Sequence, residues 1–110
     1  MAYNATLRFA RIAPRKARLV ADMIRGKPVD QAMVALEFSK RRAAAYLKGV
    51  LKSAIANAEE KDASVQDLFV AESRVDEGPT LKRFQPKDRG RAHPIMKRTS
   101  HLIITLEERS

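Results

Sequence analysis

Residues 80–101 read TLKRFQPKDRGRAHPIMKRTSH. Seven cations, Lys82, Arg83, Lys87, Arg89, Arg91, Lys97 and Arg98, stand here against one acid, Asp88. The larger apolar residues, Leu81, Phe84, Ile95 and Met96, are scattered and too few to build a core. Leu68 to Val75 on one side and Leu102 to Leu106 on the other carry strand-like patterns. A basic insert between two strands is expected to be a hairpin arm that a small domain holds out. If residues 78–101 form a ribbon bent near its middle, each leg has about eleven residues and reaches roughly 35 Å at about 3.3 Å per residue. The expected tip is Asp88-Arg89-Gly90-Arg91, with Gly90 free to take positive φ. Pro86 and Pro94 cannot donate to a ladder, so irregular pairing is expected beside them.

Outward from the arm, Asp76-Glu77-Gly78-Pro79 marks a change of direction or a bulge at its root. Leu102, Ile104 and Leu106 are the expected buried face of the last strand. At the other end of the chain, residues 3–11 alternate, Leu7 and Phe9 against Thr6, Arg8 and Ala10, which predicts a half-buried strand. Pro14 fits the first turn of a helix whose apolar residues are Ala17, Val20 and Ile24, with Leu19 and Met23 beside them. Gly26 is its expected stop. A short second helix carries Val29, Ala32, Met33 and Leu36, with Asp30 in its first turn. Ser39 is the expected N-cap of a third helix over about Lys40 to Glu60, buried through Ala44, Leu47, Leu51, Ala54, Ile55 and Ala58. The order β-α-α-α-β-arm-β predicts an α+β fold, three helices on one face of a small three-stranded antiparallel sheet with a long β-hairpin arm. One domain is expected over residues 1–110, with a body of 1–77 and 102–110 and an arm of 78–101.

The chain has 110 residues, a net charge of +9 and 45% hydrophobic residues. That size suits one domain and that composition a globular body. The charge argues for a polyanionic partner, nucleic acid first and an anionic membrane surface second. It is unevenly placed. Residues 62–78 hold five acids and Arg74 alone among cations, so the molecule should have a binding side and a solvent side. There is no cysteine, which excludes disulfides and thiolate metal sites. No apolar run approaches the roughly 20 residues of a membrane span, and the N-terminus lacks the apolar core of a signal peptide. A cytosolic protein without cofactor or metal is expected.

Three basic sets are candidate contacts. The arm is the first, with Thr99, Ser100 and His101 as hydrogen-bonding neighbours able to meet phosphate or ribose hydroxyls. Such a run is either a solvated loop or an arm fixed by phosphates, since seven like charges repel on a two-stranded ribbon that is marginal alone. Phe84 either stacks on a base or packs at the arm's root, and His101 either binds RNA or ties down its strand. The second set is Arg8, Arg11, Arg15, Lys16 and Arg18, of which Arg15 and Lys16 lie where free helix N–H groups favour a phosphate. The third is Lys40-Arg41-Arg42 with Lys48 and Lys52. Either helical set alone could equally be a solvated face. Arginine suits RNA because its planar fork bridges phosphate oxygens and stacks on bases. Catalysis has little support. The two histidines, His93 and His101, lie in or beside the arm, no glycine-rich phosphate loop is present, and Glu59-Glu60 and Asp76-Glu77 are neighbours that point apart.

The whole chain closely resembles the bacterial large-subunit ribosomal protein twenty-two family. Arg89-Gly90-Arg91-Ala92 followed by Lys97-Arg98-Thr99-Ser100-His101 and an aliphatic strand carries the resemblance most specifically. Asp76-Glu77-Gly78-Pro79 and Leu81-Lys82-Arg83-Phe84 precede it in the family's manner. Ala13-Pro14-Arg15-Lys16-Ala17-Arg18 is similar to the family's first-helix entry, and Lys48 to Glu59, with Ala54, Asn57 and Ala58, to its long helix. The resemblance implies a structural, non-enzymatic component of the large ribosomal subunit. It implies contacts with several domains of the large-subunit rRNA and with neighbouring ribosomal proteins, and a part in early subunit assembly. It further implies that the tip, Lys87, Asp88, Arg89, Gly90, Arg91, Ala92 and His93, lines the nascent-peptide exit tunnel, near which macrolides bind. Asp88, Pro94 and Met96 depart from the family's usual pattern there. The competing expectation is a free-standing basic nucleic-acid-binding regulator. It would need a groove-reading helix or a dimer face, and neither a helix-turn-helix spacing nor a heptad is seen.

Overall fold

The computed structural model describes residues 2–79, 81–87 and 91–108, and for 81–87 and 91–97 the backbone alone. The elements run β1 (Ala2–Ala10), α1 (Pro14–Ile24), α2 (Val29–Phe38), α3 (Arg42–Glu60), a 3-10 turn (Val65–Asp67), β2 (Leu68–Glu77), β3 (Leu81–Lys87), β4 (Arg91–Lys97) and β5 (Ser100–Glu108). They form an α+β fold. β5 lies at the centre of a three-stranded antiparallel sheet of order β1-β5-β2, and β3 pairs with β4 in a sheet of its own.

β5 organises the core because its alternation is unbroken. Leu102, Ile104 and Leu106 are fully buried. Each heads a row across the sheet: Leu7–Leu102–Val75, Ala5–Ile104–Ser73 and Tyr3–Leu106–Val70. Against these rows α1 packs on β2, while α3 packs on β1 and β5. α1 buries Ala17, Val20, Ala21 and Ile24, and α3 buries Ala43, Ala44, Leu47, Val50, Leu51, Ala54 and Ala58. Small side chains at these positions let the helix approach closely. The Asn57 amide then donates to the Asn4 carbonyl at 2.9 Å, pinning α3 to β1. Full burial of each large aliphatic chain contributes about 1.5–3 kcal/mol.

Two strands depart from simple alternation. In β1 the register shifts between Leu7 and Ala10, and Phe9 takes φ 59°. Phe9 is therefore 58% exposed, not buried beside Leu7 as its parity predicts. Its N–H donates to His101 Nδ1 at 3.2 Å, and the two rings meet edge-on at 5.0 Å. These contacts offset the roughly 1–2 kcal/mol that a left-handed conformation costs a non-glycine residue. In β2 the register shifts between Val70 and Glu72. The buried set changes parity there, from Leu68 and Val70 to Ser73 and Val75. The α1–α2 connection causes this: Gly26 N–H donates to Val70 O at 2.8 Å and Val70 N–H to Lys27 O at 2.9 Å. Gly26 can lie so close because it sits at φ 83°, ending α1.

Ser39 is not the N-cap of α3. It is the C-cap of α2, and α3 begins at Arg42 behind Arg41. Its hydroxyl accepts the Arg41 N–H at 3.3 Å, which holds the turn between the helices instead. The chain closes at its ends through Tyr3, whose hydroxyl donates to Glu108 Oε1 at 2.9 Å. That hydrogen bond to a carboxylate raises the Tyr3 phenol above its ordinary value of 10.0.

β3 and β4 pair in unbroken register from Leu81↔Lys97 to Lys87↔Arg91, a span of roughly 20 Å at about 3.3 Å per residue. The irregular pairing expected beside the prolines is absent. Phe84↔Pro94 and Pro86↔Ala92 are two pairs apart, so they fall in the same alternate class. An antiparallel ribbon bonds only every other pair, and one class can hold both prolines outside the ladder. The expected tip residues Asp88, Arg89 and Gly90 lie outside the described residues.

A candidate nucleic-acid interface at the arm root

The arm leaves the body where Glu77 pairs with Ser100. Beyond that pair Gly78 and Pro79 follow on one side and Thr99 and Arg98 on the other, and the separate β3–β4 ladder begins at Leu81↔Lys97. Gly78 N–H donates to Thr99 O at 3.0 Å, and Thr99 Oγ1 donates to Pro79 O at 2.6 Å. Ser100 Oγ donates to Ile12 O at 2.6 Å, tying the root to the turn before α1.

These bonds decide the place of three predicted contacts. Thr99 and Ser100 are 3% and 0% exposed, and both hydroxyls are engaged inside the protein. His101 is half-buried and holds Phe9. All three shape the root; Thr99 and Ser100 keep no free hydroxyl donor for RNA, whereas His101, whose Nδ1 accepts from Phe9, still carries an N–H on its other ring nitrogen.

The arginines around the root are placed differently. Pro14, Arg15, Arg18, Glu77 and Arg98 line one cleft of about 330 Å³ between the start of α1 and the root of the arm. Arg18 is held by the Val75 carbonyl, which its Nε and Nη2 reach at 3.3 and 3.1 Å, yet the residue remains exposed. One helical stretch further, Arg25 donates to Ser73 O at 2.5 Å and pairs with Asp22 at 2.8 Å. Arg18 and Arg25 thus clasp β2, while Arg8, Arg11, Arg15 and Lys16 stay exposed.

The third basic set divides as well. Lys48 reaches Glu37 at 3.2 Å, so its charge is already matched. Arg42 lies 5.9 Å from the centre of the Tyr46 ring, and Arg41 and Lys52 are exposed. Among the described residues, no carboxylate lies within 4 Å of the charged groups of Arg8, Arg11, Arg15, Lys16, Arg41, Lys52 or Arg98. Arg74, the lone cation of the acidic stretch, sits between Glu72 and Asp76 at 3.1 and 3.6 Å. Of Lys82, Arg83, Lys87, Arg91, Ala92, His93 and Lys97 the backbone places the positions in β3 and β4.

Helix ends show the same bias. α1 and α3 begin without a side-chain cap and without an acid in the first turn, whereas α2 has Asp30 there. Cations at a helix N-terminus oppose the dipole, and a bound anion removes that conflict. No helix among the described residues is long and apolar enough to cross a membrane.

A family model for ribosomal protein L22p/L17e matches residues 5–107, which takes in all three helices and the full hairpin. The chain belongs to the ribosomal protein L22p/L17e family. Membership makes it a structural, rRNA-binding protein of the large ribosomal subunit, associated with the ribosome and with its other proteins. In this L22p/L17e chain Arg8, Arg11, Arg15, Arg41 and Arg98 are exposed and have no carboxylate partner among the described residues. One residue the sequence concealed is Phe38, whose apolar character reads as core. Its position two residues beyond Leu36, and so on the opposite side of α2, is the signal that it faces out.

Proposed function

We propose that this protein anchors itself to several domains of the large-subunit rRNA and carries its arm into the subunit. Arg8, Arg11, Arg15, Lys16, Arg18, Arg41, Lys52 and Arg98 contact RNA from the body. Lys82, Arg83, Lys87, Arg89, Arg91 and Lys97 do so along the arm. The tip, Lys87 to His93, lines the nascent-peptide exit tunnel, where it meets nascent chains and lies close to bound macrolides. By joining RNA domains, the protein supports early subunit assembly in the cytoplasm.

The observation that carries this reading is the root of the arm. A separate two-stranded ribbon is aimed by the Gly78–Thr99 and Thr99–Pro79 hydrogen bonds, and Arg15, Arg18 and Arg98 share the cleft beside it. A phosphate in that cleft would bind body and arm at once, fixing the arm's direction as it attaches. Gradient sedimentation of lysate tests the first part: the protein should travel with the large subunit through a high-salt wash. Recovery mainly in the ribosome-free fraction would overturn it. A photo-crosslinker at position 91 tests the second. It should capture a radiolabelled nascent chain on stalled ribosomes, and capture of rRNA alone would remove the tip from the tunnel wall.

A further inference from the structure

Phe38, the last residue of α2, is 82% exposed, more than any other large apolar residue among those described. The helix buries Val29, Ala32 and Leu36, and Phe38 lies about 200° around the axis from Leu36. The other strongly exposed ring, Phe9, has His101 against its edge. Among the described residues, no ring or cation contact engages Phe38.

The chain around Phe38 is cationic. Lys40, Arg41 and Arg42 follow it and are all exposed. Ser39 Oγ fixes the intervening turn by accepting the Arg41 N–H. The adjacent acid, Glu37, is already paired with Lys48. An apolar protein partner would have to cover the ring while meeting three cations. An unpaired nucleotide satisfies both, because its base presents a π-face and its flanking phosphates meet the charges. A base inside a duplex has neighbours on both faces and offers no such surface.

We infer that Phe38 is a stacking platform for an unpaired RNA base whose flanking phosphates are held by Lys40, Arg41 and Arg42. This rests on the chain binding rRNA and adds the form of RNA recognised at the α2–α3 junction. The chain has no tryptophan, so Phe38→Trp introduces a single reporter. With the full-length variant, a single-stranded oligoadenylate of twelve nucleotides should quench the emission saturably, and a paired duplex of equal length should not. Phe38→Ala should bind the single strand about fivefold or more weakly. Phe38→Leu, apolar but without a π-face, should be as weak as Phe38→Ala. Both should melt like the parent, since the ring packs outside the core.

Unchanged affinity in Phe38→Ala, or constant indole emission from Phe38→Trp while RNA binds, would overturn the inference and leave rRNA binding intact. Parent-like affinity in Phe38→Leu would overturn stacking in favour of an apolar contact. A parent chain that bound neither the oligonucleotide nor protein-free large-subunit rRNA would overturn the rRNA-binding reading and this inference with it.

Discussion

Gly78 and Thr99 face each other across the root of the arm with no room for a β-carbon between them. A Cβ on residue 78 would stand 2.5 Å from Thr99 Oγ1 and 3.3 Å from the Thr99 carbonyl carbon and oxygen. Gly78→Ala should therefore destabilise by about 1–3 kcal/mol, the range for overpacking. The Thr99 hydroxyl could turn away, but it would lose Pro79, and the backbone contact would remain. Calorimetry of Gly78→Ala, Thr99→Ala and the double variant checks this. The double variant should lose less than the two single losses together, because both act on one contact.

Ser100 joins β5 to the turn before α1. Removing its hydroxyl strands the Ile12 carbonyl in a buried site, which should cost about 1–3 kcal/mol. Ser100→Ala should lower the melting temperature and leave the RNA affinity of the folded protein unchanged. A loss of affinity with an unchanged melting temperature would instead assign the hydroxyl to RNA.

Ser73 presents the opposite case. It is fully buried in the row with Ile104 and Ala5, and its hydroxyl has no hydrogen-bond partner among the described residues. A buried hydroxyl without a partner opposes folding. Ser73→Ala should be neutral or stabilising by up to about 1 kcal/mol, read from denaturant midpoints at constant m. The Ser73 carbonyl keeps its bond from Arg25 in either variant.

Deleting residues 87–96 should leave a cooperatively folded body. β3 and β4 form their own sheet, and the three rows headed by Leu102, Ile104 and Leu106 lie outside it. A scanning calorimeter would show one sharp transition, and its disappearance would make the arm part of the folding unit.

RNA affinity should fall steeply with salt. If about 6–10 phosphates are neutralised, the loss between 50 and 200 mM salt is roughly 10³–10⁵-fold. Arg98→Ala or Arg15→Ala should each lower the slope of log affinity against log salt by about one. Arg91→Glu should weaken binding without lowering the melting temperature. An unchanged slope in the body variants would show that the cleft binds no phosphate.

Much of the fold was legible because β5 is so regular. Leu102, Ile104 and Leu106 alternate without interruption, and a central strand must. The helical stripes were legible for the same reason, down to the buried Ala17, Val20 and Ile24 of α1. Edge strands were harder. Phe9 and the parity change in β2 depend on bulges made by partners far away in sequence, His101 in one case and Gly26–Lys27 in the other. The candidate interface was legible as charge but not as geometry. Lys48 and Arg18 look alike in sequence to Lys52 and Arg15, and only folding sets Glu37 beside one and the Val75 carbonyl beside the other.

By itself the sequence determined the class of fold, the family and the sign of the partner. Each of these follows from local pattern: apolar period, motif order and net charge. Tertiary structure alone decided which polar groups face inward. Thr99 and Ser100 carry the same hydroxyls whether they meet RNA or protein, and it is the approach of Pro79 and Ile12 to 2.6 Å that turns them into the fastenings of the arm. Hydrogen bonds act over a few ångströms, so their partners are known only once the chain has brought residues 12, 79, 99 and 100 together.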